Sequence, residues 1–342
     1  MKKTVLILSF VIILIGGLWL VTTKTKKSTL TPTPSNQSSS TKIQVVTTLF
    51  PLYDFAKQIG KDKVEVTLLL PPGAEAHSFE PKPADILKIN NANLFIYTGD
   101  FMEPWAKKIL NGTDNKKLTA LNASQNISII KLDNSHDQKH QHNHEQTKTE
   151  NEHEHKHEYN DNHSIDPHIW LNFHNAQIIT NSITQALIKI QPENKNFFEE
   201  NSKKYIAELE KLDQTYQQQL ADCPTKKIIY GGHYAFGYLA NRYNLDYIAA
   251  QGFSPESEPT AQDLAKLTEQ VKKEQLHHIF YEELENPKIA EIIAKETGAE
   301  LLSLNSAHNV SKKDLADNIS FISIMQKNLT NLTKGLNCSN QK

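Results

Sequence analysis

Two hydrophobic patterns divide this chain. The first is one apolar run from Val5 to Val21, broken only by Ser9 and Gly16-Gly17 and preceded by Lys2 and Lys3. The second begins after Lys42, where short β-rich runs alternate with stretches that are apolar at helical spacing. Ile43 to Leu49 reads as a strand. Pro51 opens a helix through Leu52-Tyr53-Asp54-Phe55-Ala56 that Gly60 stops, and Val64 to Leu70 reads as a buried strand ended by Pro71-Pro72-Gly73. A short helix over Pro83 to Ile89, a strand over Leu94 to Tyr97 and a further strand over Ile127 to Ile130 complete a first α/β set.

Farther on, Asn175 to Ile190 reads as a helix, and Pro192 opens a second from Glu193 to about Leu220 whose apolar stripe is Phe197, Tyr205, Leu209, Leu212 and Tyr216. At about 1.5 Å per residue such a helix crosses a whole domain. Alternation then resumes with a strand at Lys227 to Tyr230, a helix to Tyr243, a strand at Tyr247 to Ala250 and a helix from Thr260 to about Lys273. Strands at His278 to Tyr281 and Leu301 to Leu304 enclose a helix at Pro287 to Thr297, and a last helix starts at Ser311. The expected class is α/β: two lobes, each a parallel sheet flanked by helices, joined by a long helix. The expected divisions are a signal or anchor segment over 1–27, a Ser/Thr/Pro linker over 28–42, an N-terminal lobe over 43–173, linking helices over 174–222 and a C-terminal lobe over 223–342.

The N-terminal run is a membrane-targeting segment. It has no Cys after its apolar core to carry a lipid, and Val21-Thr22-Thr23-Lys24 is a poor small-x-small cleavage site, so an uncleaved signal anchor is favoured over a removed signal peptide. Ser28 to Thr41 would then tether a soluble body outside the cytoplasm, at the cell surface or in a periplasm. With 37 Lys+Arg against 39 Asp+Glu the chain shows no basic footprint for nucleic acid. The two cysteines, Cys223 and Cys338, have no zinc-type spacing; they pair with each other in an oxidising compartment or stand as independent thiols.

Histidine changes the picture. Eight of the fifteen histidines, His136, His140, His142, His144, His153, His155, His157 and His163, fall within the polar stretch 134–163, partly in HxHxH spacing. Neutral imidazole is the commonest ligand for zinc and similar ions, so a mobile, weakly metal-binding loop is expected there, with a charged insert of no function as the plainer alternative. An open α/β sheet binds ligands beyond the carboxyl ends of its strands. Outside the loop, the histidines that follow a strand or precede a helix are His77, His168, His233 and His308. Four imidazoles converging in a cleft would form a closed tetrahedral site for Zn²⁺, at roughly 2.0–2.1 Å per nitrogen. For any one of them alone, a local hydrogen-bonding role is the ordinary expectation. His174, which opens a helix, and His277-His278, which lead into an apolar strand, fit that ordinary role.

These motifs resemble the zinc and manganese group of extracellular solute-binding proteins that feed metal to ABC importers. The resemblance covers about Lys42 to Lys334 and rests on GAEAHSFEP, DPHIWL, GGHYAFGYLA, PESEPTAQDLAKL and LNSAHNVS as they stand here. It implies two α/β lobes joined by a rigid linking helix, a metal site in the interlobe cleft, a histidine-rich loop beside it, and delivery of the ion to a membrane permease. By position His77, His168 and His233 match the three main ligands. His308 aligns best with the fourth, ahead of Asn305 and of Glu75 approaching from the first loop. Manganese-type members usually carry a carboxylate where His233 stands, so Zn²⁺ is expected over Mn²⁺. No catalysis is implied, and a monomer is expected. A zinc hydrolase would want an open coordination position and a base, but no HExxH occurs and Glu80, Glu256 and Glu258 have no assignable placement. A surface zinc buffer or adhesin would share every binding residue.

Overall fold

The computed structural model describes residues 42–131, 165–253 and 258–338. The signal or anchor segment, nearly all of the linker, the eight histidines of 134–163 and Glu256 lie outside the described residues.

Two parallel four-stranded sheets organise the chain. The first contains β1 (Ile43–Thr47), β2 (Val64–Leu68), β3 (Leu94–Tyr97) and β4 (Thr119–Asn122) in the order β2-β1-β3-β4. The second repeats that order with β5 (Lys227–Tyr230), β6 (Asp246–Ala249), β7 (His278–Glu282) and β8 (Glu300–Leu304), as β6-β5-β7-β8. Near-continuous apolar runs such as Leu94–Tyr97, buried at all four positions, are what a sheet covered on both faces requires. In each sheet the chain reverses its direction of growth between the first and third strands, which leaves a crevice at their carboxyl ends.

The expected strand at Ile127 to Ile130 is not formed. Thr119–Asn122 occupies the place beside β3, with Leu94 opposite Thr119 and Tyr97 opposite Asn122. The apolar residues that follow run instead towards the second lobe, where the Tyr238 hydroxyl accepts from the Ile130 N–H at 2.9 Å; only Lys131 makes a bridge, to Ile165. β4 escaped sequence reading because its side chains are half-exposed and weakly patterned.

The covering helices are α1 (Phe50–Gly60), α2 (Pro83–Asn91), α3 (Pro104–Gly112), α4 (Phe173–Ile190), α5 (Lys195–Ala221), α6 (Gly237–Arg242), α7 (Ala261–Lys273), α8 (Lys288–Thr297), α9 (Lys312–Ala316) and α10 (Phe321–Gly335). At 27 residues, α5 is about 40 Å long. Its buried face is Phe198, Ser202, Tyr205, Leu209, Leu212, Tyr216 and Leu220, spaced by three and four residues; Phe198, not the expected Phe197, faces inward. The single last helix expected from Ser311 is two. Asn318 adopts a left-handed φ of 55°, and Ser311 and Ser320 each cap a separate helix by accepting from the backbone N–H three residues on.

The lobes share one core. Phe55 of α1 meets Phe321 of α10 edge-on at 5.2 Å and Tyr205 of α5 at 5.7 Å, while Phe173 of α4 meets Tyr216 of α5 at 5.0 Å. The buried Asp54 carboxylate accepts from Tyr205 Oη (3.2 Å) and from the Phe321 N–H (2.9 Å), so α1, α5 and α10 meet at one side chain. Cys223, just past α5, is disulfide-bonded to Cys338, just past α10, closing the two helices into a pair.

Candidate metal centre

Each histidine reaches the cleft by a different local device. His77 lies on the loop after β2, which Gly73 turns at a left-handed φ of 78°. That loop is clasped from the opposite lobe: Asn309 Nδ2 donates to the Pro71 and Ala74 carbonyls (2.8 and 2.7 Å), and the Gly73 N–H donates to the Val310 carbonyl (3.0 Å). His168 follows no strand of the sheet. It stands at the start of a 3₁₀ turn, Ile169–Leu171, whose Trp170 is fully buried and donates from Nε1 to the Ser306 carbonyl at 2.8 Å.

His233 sits just after β5, beside the crevice of the second sheet. Gly231 makes that turn possible, because a Cβ there would lie 2.7 Å from the Ala290 Cα of α8. Gly237 lets α6 approach likewise, since its Cβ would fall 2.5 Å from Asp166 Oδ2. His308 follows β8 on a segment pinned to the first lobe by the Phe50 N–H donating to its carbonyl (3.2 Å).

The four rings converge. Ring centroids are 5.3 Å apart for His77 and His168, and 5.2 Å for both His77–His233 and His168–His233. His308 lies slightly farther, 6.3 Å from His77 and 5.9 Å from His233. The first three present nitrogens within 4.8 Å of one another. His168, His233 and His308 are buried, and His77 is half-buried.

The outer nitrogens are engaged by groups that sequence reading did not assign. His168 Nδ1 is 2.9 Å from Asp166 Oδ1, which also accepts the His168 N–H; His233 Nδ1 is 2.6 Å from Glu282 Oε2; His308 Nδ1 pairs with Ser306 Oγ. A carboxylate on Nδ1 fixes the tautomer and turns the Nε2 lone pair inward. His168 Nε2 and His233 Nε2 then face each other at 3.2 Å, and His77 Nε2 is buried with no hydrogen-bond partner among the described residues. Two nitrogens on one edge of a tetrahedral zinc site lie about 3.3 Å apart for bonds of roughly 2.0–2.1 Å. Such an arrangement could hold a cation.

Electrostatics agree. Burial, then neighbouring His168 and His233, hold His77 well below the ordinary imidazole value; burial and His233 do the same to His168, and burial takes His308 down to about 3. His233 departs upward: burial lowers it, but Glu282, with Glu75 and Glu285, more than offsets that. Burial also pushes the Asp166 carboxyl up to about 8.

Asn305 is not at the centre: its Oδ1 accepts from the Ala307 N–H and its Nδ2 reaches Glu283. Glu75 accepts the His77 N–H at 2.7 Å, at the margin of the cluster. His174 is exposed, its N–H donating to the Asn172 cap, and His278 lies in β7, away from the cleft.

A family model described as "Zinc-uptake complex component A periplasmic" matches residues 45–335 of this chain. The chain belongs to the ZnuA family. Among curated ZnuA-type relatives, the high-affinity zinc uptake system protein ZnuA of Bacillus subtilis is 38% identical over 302 residues, 88% of this chain and 90% of that protein. The zinc-binding lipoprotein AdcA of Streptococcus pneumoniae is 34% identical over 296 residues, 86% of this chain but 56% of AdcA, so the chain spans little more than half of that relative. The crystal structure of the Zn(II)-bound ZnuA-like domain of S. pneumoniae AdcA superposes with a TM-score of 0.70 at 32% identity, covering 86% of this chain and 99% of that one.

Proposed function

We propose that this protein captures Zn²⁺ between its lobes, with His77, His168, His233 and His308 as ligands, and delivers it outside the cytoplasm to the membrane permease of an ABC-type importer. One observation carries the reading: His168 Nε2 and His233 Nε2 are held at the spacing of two zinc ligands by carboxylates on their far sides. Relatives named for zinc uptake and zinc binding support the same ion. An all-imidazole set favours Zn²⁺ over Mn²⁺, which prefers oxygen. Asp166 and Glu282 orient imidazoles here rather than facing an open coordination position, so the site suits capture, not hydrolysis. The protein works as a monomer, and the histidines of 134–163 gather the ion weakly.

Isothermal titration decides the matter. One tight zinc site is expected, with Mn²⁺ binding much more weakly, and His233→Ala should remove most of the tight affinity. Unchanged affinity in that variant would rule out the site.

A further inference from the structure

Beside the metal centre lies a cleft of about 700 Å³ between α2 and α3, on the first lobe, with His77 forming part of its wall. Phe79 and Trp105, edge-on to each other at 6.1 Å, form an aromatic wall, and buried Met102 is also part of the lining. Glu80 and Lys108 bring one carboxylate and one amine to the same cleft. Asn90 adds a side-chain oxygen that is buried without a partner among the described residues.

The volume is that of a small-molecule site, apolar and aromatic with a few polar groups to orient what enters. Its charges match an α-amino acid: Lys108 faces a carboxylate, Glu80 and the Asn90 oxygen face an ammonium, and the aromatic wall takes a planar ring. His77 is the one half-buried member of the His77, His168 and His233 group and belongs to both the cleft and that group. We infer that this cleft binds a zwitterionic amino-acid chelator of zinc, of the class of free L-histidine, so that the ion can be taken from its small-molecule complex directly at His77.

The inference rests on the zinc reading above, and one experiment separates the two. The protein loaded with one equivalent of Zn²⁺ is titrated with L-histidine while tryptophan fluorescence is followed and retained zinc is measured by equilibrium dialysis. A saturable change that disappears in Trp105→Phe is expected, with zinc retained. Lys108→Glu should weaken histidine binding about tenfold, the loss of one charge-assisted contact, and leave zinc affinity unaltered. A protein that holds no zinc at the outset defeats the zinc reading itself. A protein that holds zinc but shows no saturable change, that loses its zinc to histidine, or that binds histidine equally well as Lys108→Glu overturns the cleft assignment alone.

Discussion

Glu282 stands directly behind His233, and with His233 and His308 it forms a group whose ligand atoms lie within 4.8 Å of one another. Its Oε2 lies 2.6 Å from His233 Nδ1, and its other oxygen is 3.3 Å from Ser306 Oγ, the partner of His308. Glu282→Gln should therefore lower zinc affinity about 10- to 100-fold, the usual effect of losing a carboxylate behind a ligating imidazole, while far-UV circular dichroism stays that of the parent. An affinity unchanged by calorimetry would show that His233 is held by packing alone. The buried imidazoles also couple stability to pH. His77, His168 and His308 are held below the ordinary value of 6.5, so the unfolded chain takes up protons first; their contribution is present above 6.5 and is lost as pH falls towards their folded values. His233, raised by Glu282, works in the opposite sense and offsets part of the loss. Melting of the metal-free protein should accordingly show stability declining below about pH 6.5, by up to about 1.4 kcal/mol per pH unit for each depressed imidazole. A melting temperature independent of pH over that range would contradict the buried, neutral state of the three rings. The histidines were legible because their types and positions after predicted elements suggested ligands. Asp166 stood in plain view within DPHIWL without an assigned role, and Glu282 at the end of β7 could be paired with His233 only once β5 and β7 were neighbours.

Among the elements, α5 decides how the lobes are held. Its inward stripe packs on α1, α4 and α10, and Asp54 of α1 joins α5 and α10. Replacing Asp54 with Ala would strand the Tyr205 hydroxyl and the Phe321 N–H in the interior, at about 1–3 kcal/mol in urea unfolding. A loss near zero would mean that the aromatic contacts suffice. Helix and strand periods were readable for most elements. They failed at β4, whose half-exposed positions barely alternate, and at α9–α10, where Ser320 restarts a helix that apolar spacing alone would have continued.

At the scale of the molecule, the segment 305–310 ties the lobes together, and the disulfide ties the end of α10 to the end of α5. Ser306, His308, Asn309 and Val310 all bond across to the first lobe, so the His308 backbone is fixed by both halves. Cys223 and Cys338 close a loop of sequence separation 115. In the chain-entropy account a loop of that size is worth about 4–5 kcal/mol, and Cys223→Ser with Cys338→Ser should lower stability to denaturant on that order while leaving zinc stoichiometry unchanged. Loss of zinc binding in that double variant would place the disulfide among the determinants of the site.

Local chemistry in the chain, its apolar periods, caps and imidazoles, was enough to determine the α/β class, the long connecting helix and the four candidate ligands, because each of those depends on residues near one another in sequence. Strand order, the pairing of Cys223 with Cys338, and the carboxylates that aim His168 and His233 were decided only when distant segments packed, since no local period records which surfaces will meet.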